Sequence, residues 1–273
     1  MPDKKSWLGL FCFLFLTLIA TELLAINTVD TAMLTRPAIG KNQIAFVYAG
    51  NLWVADLNGK NPRQLTVEAE VASLPVFSPD GRWLAFSAQR NGNVDVYLIP
   101  AEGGLSKRLT WHPGADIIQD FTPDGKSLLF TSTSKASNRG ASNLFIMSIN
   151  GGFPEEIPIP YVYRAKISAD GRYIAYNHFA DAFRQWKNYR GGRNSVLAIY
   201  DQKTGSIEKI PQPEGRSNDI DPIWSEDRLY FLSDRNGEFN LFSYDRQTRE
   251  IKQLTSYTDF PIIEAAGNHD QII

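Results

Sequence analysis

The order of polar and apolar residues repeats along the chain. Each copy begins with a short polar phrase that contains an aspartate, and the phrase leads into five or six residues that are mostly apolar or aromatic. The copies start 44, 46 and 57 residues apart, at Ser78-Pro79-Asp80-Gly81, Thr122-Pro123-Asp124-Gly125, Ser168-Ala169-Asp170-Gly171 and the shorter Ser225-Glu226-Asp227. A period in the forties that carries several short strands is typical of β-propeller blades. The sequence therefore predicts an all-β propeller.

The repeat that contains the first phrase shows how one blade is predicted to fold. Proline presets the backbone of the second turn position, and Asp-Gly or Asn-Gly accepts the left-handed conformation of a tight hairpin. Turns of this kind separate four predicted strands, Leu74–Phe77, Trp83–Ser87, Asp95–Ile99 and Ser106–Thr110. We expect each repeat to form one four-stranded antiparallel blade whose first strand is the innermost.

Five complete blades are predicted, followed by the beginning of a sixth. The complete blades begin near Thr31, Val67, Trp111, Ile159 and Pro213. Residues 261–273 start a further blade and end inside one of its predicted strands. Because a propeller usually removes its open sheet edges by completing its last blade, we interpret residues 26–273 as a propeller truncated in blade six, at the front of a longer protein.

The first 25 residues differ from the repeats and predict a secretory signal peptide. Lys4 and Lys5 precede the uncharged segment 7–20, and Ala25 is a small residue at a suitable cleavage point. An uncleaved membrane anchor is the alternative, since residues 7–25 are nearly long enough to span a bilayer. Cleavage near Ala25 would give a periplasmic or secreted protein and would remove Cys12, the only cysteine of the sequence.

Composition and motifs indicate no catalysis by this chain. A formal net charge of −2 gives no reason to expect nucleic acid as a partner. The sequence contains no Gly-x-Ser-x-Gly nucleophile motif. Residues 234–238 resemble the start of a calcium loop but lack its later ligands, so a hairpin turn is the preferred interpretation. We expect no catalytic residue, metal site or cofactor, and structural or solvent-exposed roles for the three histidines, His112, His178 and His269.

The 57-residue interval contains an insertion that the other repeats lack. Residues 178–193 lie between two predicted strands and are aromatic, basic and glycine-rich at their end. Together with Thr35-Arg36-Pro37 and the order of the repeats, one run in this insertion resembles the first propeller of tricorn-type serine peptidases: Trp186-Lys187-Asn188-Tyr189-Arg190-Gly191-Gly192. The resemblance covers residues 33–273. It implies a six-bladed propeller that is followed, in that family, by a second propeller, a PDZ-like module and a serine protease core.

The resemblance implies a role in proteolysis in which other domains hold the catalytic residues. In that family the first propeller flanks the active-site chamber as a passage and helps to position peptide ends. We therefore expect a non-catalytic part of an exported tricorn-like peptidase that guides or binds peptides, with peptides and C-terminal protease domains as partners. The alternative is an independent periplasmic interaction scaffold of the TolB type, because TolB and dipeptidyl-peptidase propellers share the Ser-Pro-Asp-Gly repeats.

Three arginines are candidates for binding the carboxylate of a peptide. Arg190 and Arg193 belong to the insertion, and Arg139 belongs to a long polar hairpin loop, residues 134–140. The planar guanidinium group can bind a carboxylate through two parallel hydrogen bonds. The alternative is that the cations of the insertion face solvent while its aromatic side chains pack it onto a blade, namely Phe183, Trp186 and Tyr189.

Overall fold

The fold is a β-propeller, as the sequence predicts. A computed structural model of the chain describes residues 34–136, 141–179, 188–268 and 271–273. Twenty strands lie in this part of the chain and form five four-stranded sheets, each made of consecutive strands in sequence order. All neighbouring strands within a sheet are antiparallel, so each sheet is one blade. The described residues include no helix that is long and apolar enough to cross a membrane.

The strands follow the predicted order, with bounds that differ from the predicted ones by a few residues. Blades one to three contain β1 (Thr35–Ile39), β2 (Gln43–Tyr48), β3 (Asn51–Asp56), β4 (Arg63–Gln64), β5 (Val76–Phe77), β6 (Trp83–Arg90), β7 (Asn93–Pro100), β8 (Lys107–Arg108), β9 (Asp116–Phe121), β10 (Ser127–Ser132), β11 (Asn143–Ser148) and β12 (Glu155–Ile157). Blades four and five contain β13 (Arg164–Ile167), β14 (Tyr173–Asn177), β15 (Leu197–Asp201), β16 (Ile207–Lys209), β17 (Asp219–Ser225), β18 (Arg228–Ser233), β19 (Asn240–Asp245) and β20 (Ile251–Gln253). The predicted segment 1–25 lies outside the described residues.

Because consecutive strands alternate in direction, the loops of each blade lie at two opposite ends. The first and third hairpins of each blade share one end, and this turn face carries the Pro-Asp-Gly turns. The second hairpins and the connections between blades share the other end. This insertion face includes the connection between β14 and β15, which contains residues 178–193.

Hydrogen bonds inside the turn explain why the Ser-Pro-Asp-Gly phrase recurs. The Ser78 hydroxyl donates to the Asp80 carboxylate over 2.6 Å, and the same carboxylate oxygen accepts the backbone N–H of Arg82 over 3.0 Å. Gly81 has a φ of 74°, in the left-handed region that favours glycine. Equivalent carboxylate contacts recur in the turns around Asp124 and Asp170. The phrase is therefore a self-contained hairpin turn.

The hydrophobic core lies between the blades and inside each sheet. Three blades place an aromatic pair at the same cross-strand position of their second and third strands, with ring centroids 5.6 to 6.0 Å apart: Phe86 with Tyr97, Phe130 with Phe145 and Phe231 with Phe242. Stacked pairs of this kind add about 0.5–1.5 kcal/mol beyond the burial of their surface. The alternation of large apolar residues in the repeats thus specifies the register of the sheets.

Residues 261–268 and 271–273 lie between blade five and blade one. The backbone N–H of Ile262 donates to the Phe239 carbonyl, and Gly267 pairs with Ile272 in an antiparallel bridge. On the other side, the Glu264 carboxylate accepts the backbone N–H of Arg36 over 2.6 Å. These contacts bring the start of the predicted sixth blade against the first one. The six-bladed ring that the resemblance implies stays a prediction.

Candidate functional site

The inner strands of the blades surround a central cavity of about 420 Å³. Its lining comes from the innermost strands of all five blades, from the first turns of blades one to four and from the start of the sixth. The segments are residues 37–41, 74–79, 118–121 with Pro123, 164–169, 221–224 and 265–268. Its volume falls within the range of about 300–1,000 Å³ that is usual for ligand pockets. Because the lining includes the Pro-Asp-Gly turns, the cavity extends to the turn face.

Two ion pairs join neighbouring blades within the cavity wall. Lys166 of β13 lies 3.4 Å from the carboxylate of Asp120 on β9, and Arg164 of β13 lies 3.5 Å from that of Asp221 on β17. Burial raises the pKa of Asp120, against the opposing effect of the Lys166 ammonium group. Asp221 has a φ of 48° and occupies a bulge in the pairing of β17 with β18. Four of the charges in the wall therefore cancel in pairs.

The rest of the cavity wall is largely apolar. Phe77, Ile167 and Trp224 are partly buried and contribute to it. Gly40 allows the Phe77 ring to lie close to the backbone of blade one, since a Cβ atom at position 40 would be 2.9 Å from the ring. Such a wall can hold apolar side chains and an extended peptide by non-covalent contacts. The described residues contain no cluster of three or more side chains able to hold a metal ion.

The three candidate arginines occupy different environments. Arg139 lies outside the described residues. Arg190 is half-buried, and its guanidinium donates to the Asp234 carboxylate over 2.6 Å and to the Asp234 carbonyl over 3.2 Å. Arg193 is exposed, with its guanidinium 5.9 Å from the centre of the Phe179 ring. Arg190 thus has an internal carboxylate partner, which was not predicted from the sequence. Binding of a peptide carboxylate stays a prediction for all three arginines.

The residues that anchor the insertion come from blade five. Asn218 donates through its side chain to the Tyr189 carbonyl over 2.9 Å and to the Asp234 carboxylate over 3.0 Å. Arg216 is exposed and lies 3.4 Å from the carbonyl oxygen of Arg190. None of these contacts is predicted from the sequence. One difference between the repeats does indicate a partner for a cation. Asp234 of the blade-five hairpin is a carboxylate, whereas the matching hairpin of blade two has Gln89 at this position.

The described histidines have structural contacts. His178 Nδ1 lies 2.6 Å from the Tyr161 carbonyl oxygen, and its ring packs edge-on against Tyr176 at 5.1 Å. His112 Nδ1 accepts the backbone N–H of Gly114 over 2.9 Å in its own turn. His269 lies outside the described residues. The hairpin predicted at residues 234–238 is present between β18 and β19.

Comparison with known proteins agrees with this architecture. The tricorn protease homolog 1 of Streptomyces coelicolor is 28% identical over 240 residues, which are 84% of this chain and 21% of that protein. The chain therefore spans about a fifth of the length of the curated relative it matches.

Two solved structures share the fold. The crystal structure of the tricorn protease aligns with a TM-score of 0.72 at 23% identity, over 86% of this chain and 23% of that one. The crystal structure of TolB from Acinetobacter baumannii aligns with a TM-score of 0.64 at 24% identity, over 82% of this chain and 54% of that one. Residues 31–273 match the family described as the tricorn protease N-terminal beta propeller domain, and the chain belongs to this family.

Proposed function

We propose that this chain is a non-catalytic propeller of an exported tricorn-like peptidase and that it binds peptides and guides them toward a protease core. The observation that carries the proposal is the family match over residues 31–273, together with a central cavity built from the innermost strands. The protease core would lie on the same polypeptide or on a separate subunit. Hydrolysis itself would be carried out by that core.

The composition of the central cavity supports peptide binding. Its charged groups Arg164 and Lys166 are paired with Asp221 and Asp120, so the wall offers mainly apolar surface to a ligand. Lys41 also lines the cavity and is exposed. An unstructured peptide can turn alternate side chains toward such a wall. Because the charges of the wall are paired with one another, binding would leave no buried charge without a partner.

The insertion face offers exposed arginines for the carboxylate end of a peptide. Arg193 and Arg216 are both exposed and form no ion pair among the described residues. Segments 189–195 and 216–219 adjoin one another through several hydrogen bonds, so these two cations lie on one patch. We include Arg139 in the proposal because it lies in the second hairpin loop of blade three. Arg190 has an anchoring role in the proposal, since Asp234 already occupies its guanidinium.

Export through the first 25 residues is part of the proposal. It rests on Lys4, Lys5 and the uncharged run that follows them. Expression of the full chain with a C-terminal tag, followed by fractionation and N-terminal sequencing, tests it. A mature protein outside the cytoplasm that begins near residue 26 is the expected result, and an intact N-terminus on a cytoplasmic protein would contradict it.

A titration with labelled peptides tests the proposed function. We expect the purified protein to bind an unstructured peptide of about ten residues saturably and to leave it uncut, as read by fluorescence anisotropy and mass spectrometry. Ala266→Trp, which adds bulk at a half-buried position of the cavity lining, is expected to weaken binding. Leu57→Trp adds similar bulk to an exposed hairpin at the outer rim and serves as the control. Equal binding by both variants would contradict the cavity as the site.

The likeness to TolB extends to the fold alone, at 24% identity. It favours no second function over peptide binding. A TolB-like scaffold would bind a folded partner and ignore the peptide in the titration above, so the same experiment separates the two alternatives.

A further inference from the structure

A regular contact between successive turns is broken between blades four and five. The ring of Pro79 packs over Gly125 of the next blade, 3.6 Å from where a Cβ atom would stand, and Pro123 packs over Gly171 in the same way at 3.8 Å. Blade four has Ala169 in place of the proline. The turn of blade five is shorter and has no glycine, because Ser225 pairs directly with Arg228. Both halves of the contact are therefore missing at this position.

A second cavity of about 290 Å³ lies where the contact is missing. This recess shares Ser168, Ala169 and Trp224 with the lining of the central cavity, so the two cavities adjoin on the turn face. Tyr173 and Trp224 supply aromatic surface to it. The recess is thus a cavity with two aromatic side chains in its wall, next to the central cavity.

The aromatic wall of the recess already holds a cation of the protein. The guanidinium of Arg246 lies 3.7 Å from the centre of the Tyr173 ring, and that of Arg172 lies 4.9 Å from it. The negative face of an aromatic ring attracts such groups. Both arginines have carboxylate partners outside the recess, Glu208 for Arg246 and Asp201 for Arg172.

Two of the three carboxylates of the recess lack cationic partners of this kind among the described residues. Glu226 and Asp227 line it, are exposed, and form no ion pair among the described residues. The third carboxylate, Asp170, accepts hydrogen bonds from Ser168 and from the backbone N–H of Arg172. A positively charged ligand would meet the Trp224 side chain and the exposed carboxylates of Glu226 and Asp227 together.

We propose that the recess binds the cationic side chain of a peptide, an arginine or a lysine, while the rest of the peptide occupies the central cavity. This inference rests on the proposed function and adds a preference for basic peptides to it. Neither the cavity wall, with its paired charges, nor the arginines of the insertion face would give such a preference. The selectivity would come from the first turns of blades four and five, where the sequence differs from the repeated Ser-Pro-Asp-Gly phrase.

A pair of matched peptides tests the recess. The two are a capped Ala-Arg-Ala and its citrulline counterpart, which has the same shape without the charge. We expect calorimetry in low salt to show about fivefold tighter binding of the arginine peptide, since exposed cation–π and ion-pair contacts are individually weak. The preference should disappear in Glu226→Gln/Asp227→Asn. It should also disappear in Ala169→Pro, which restores the proline found at positions 79 and 123.

A control variant outside the recess and a smaller arginine compound complete the test. Glu155→Gln/Glu250→Gln removes two exposed carboxylates elsewhere and should keep the preference. Equal affinities for the two peptides, or a preference that survives both recess variants, would overturn the inference and leave peptide binding intact. If neither peptide binds, the proposed function fails. The recess is then tested separately by comparing the affinities of N-acetylarginine methylamide and its citrulline analogue. Preference for the arginine compound supports the recess and equal binding overturns it.

Discussion

The guanidinium of Arg190 lies 2.6 Å from the carboxylate of Asp234, across 44 residues of sequence. The Asp234 side chain is 1% exposed and that of Arg190 is 30% exposed. The pair joins the end of the blade-four insertion to the second hairpin of blade five. The Tyr-Arg-Gly-Gly run, part of the resemblance to the family, thus has a structural role in this chain.

Removal of Arg190 should destabilise the protein. Arg190→Ala leaves the Asp234 carboxylate buried without its cation, and we expect a loss of about 2 kcal/mol in the free energy of unfolding, measured by urea denaturation. The exposed Arg193→Ala should change this free energy by less than about 0.5 kcal/mol. A loss no larger for Arg190→Ala than for Arg193→Ala would contradict the anchoring role. The double variant with Asp234→Asn should recover part of the loss.

The first turn should make stability depend on pH in acid. Hydrogen bonds from Ser78 and from the backbone N–H of Arg82 lower the pKa of Asp80 from 3.8 to about 2. Because the folded-state pKa is the lower one, this stabilisation is present above pH 3.8 and is lost as the pH falls toward 2. In Asp80→Asn, the urea midpoint of unfolding should change less with pH in this window. The exposed Glu250→Gln is the control, and identical curves for Asp80→Asn and the wild type would contradict the assignment.

The close approach at Gly40 predicts a steric effect. An added methyl group would lie 2.9 Å from the Phe77 ring, so Gly40→Ala should cost about 1–3 kcal/mol in the free energy of unfolding. A second change, Phe77→Leu, should recover part of it. Gly215→Ala is the matched control, since a Cβ atom there has no neighbour within 4 Å. Equal unfolding midpoints for the two alanine variants would show that the ring moves aside freely.

The contact between residues 261–268 and blade one should protect the first strand from solvent exchange. Glu264→Ala removes the carboxylate that accepts the backbone N–H of Arg36, and we expect faster deuterium exchange of that amide. Glu214→Ala, an exposed change remote from β1 in sequence, should leave the exchange unchanged. If the Arg36 amide exchanges as slowly in Glu264→Ala as in the wild type, the Glu264 contact does not protect the first strand.

The blades could be predicted from local sequence patterns, whereas the contacts between blades could not. The Ser78 phrase and the Asn91-Gly92 turn act within a few residues, so their hairpins follow from the sequence. The pairing of Arg190 with Asp234 joins parts of the chain that only the ring brings together, and charge alone does not reveal it. The recess beside Ala169 could have been suspected from the missing proline. Its aromatic wall depends on how blades four and five meet.

A photo-crosslinking map of a bound peptide tests the central claim most directly. An unstructured peptide with a photoreactive side chain at each position in turn would be crosslinked to the purified protein, and the adducts located by mass spectrometry. The account predicts adducts on the segments that line the central cavity, residues 37–41, 74–79, 118–121 with Pro123, 164–169, 221–224 and 265–268. Adducts confined to the outer strands such as β4, β8 and β20, or no saturable adducts at all, would contradict it.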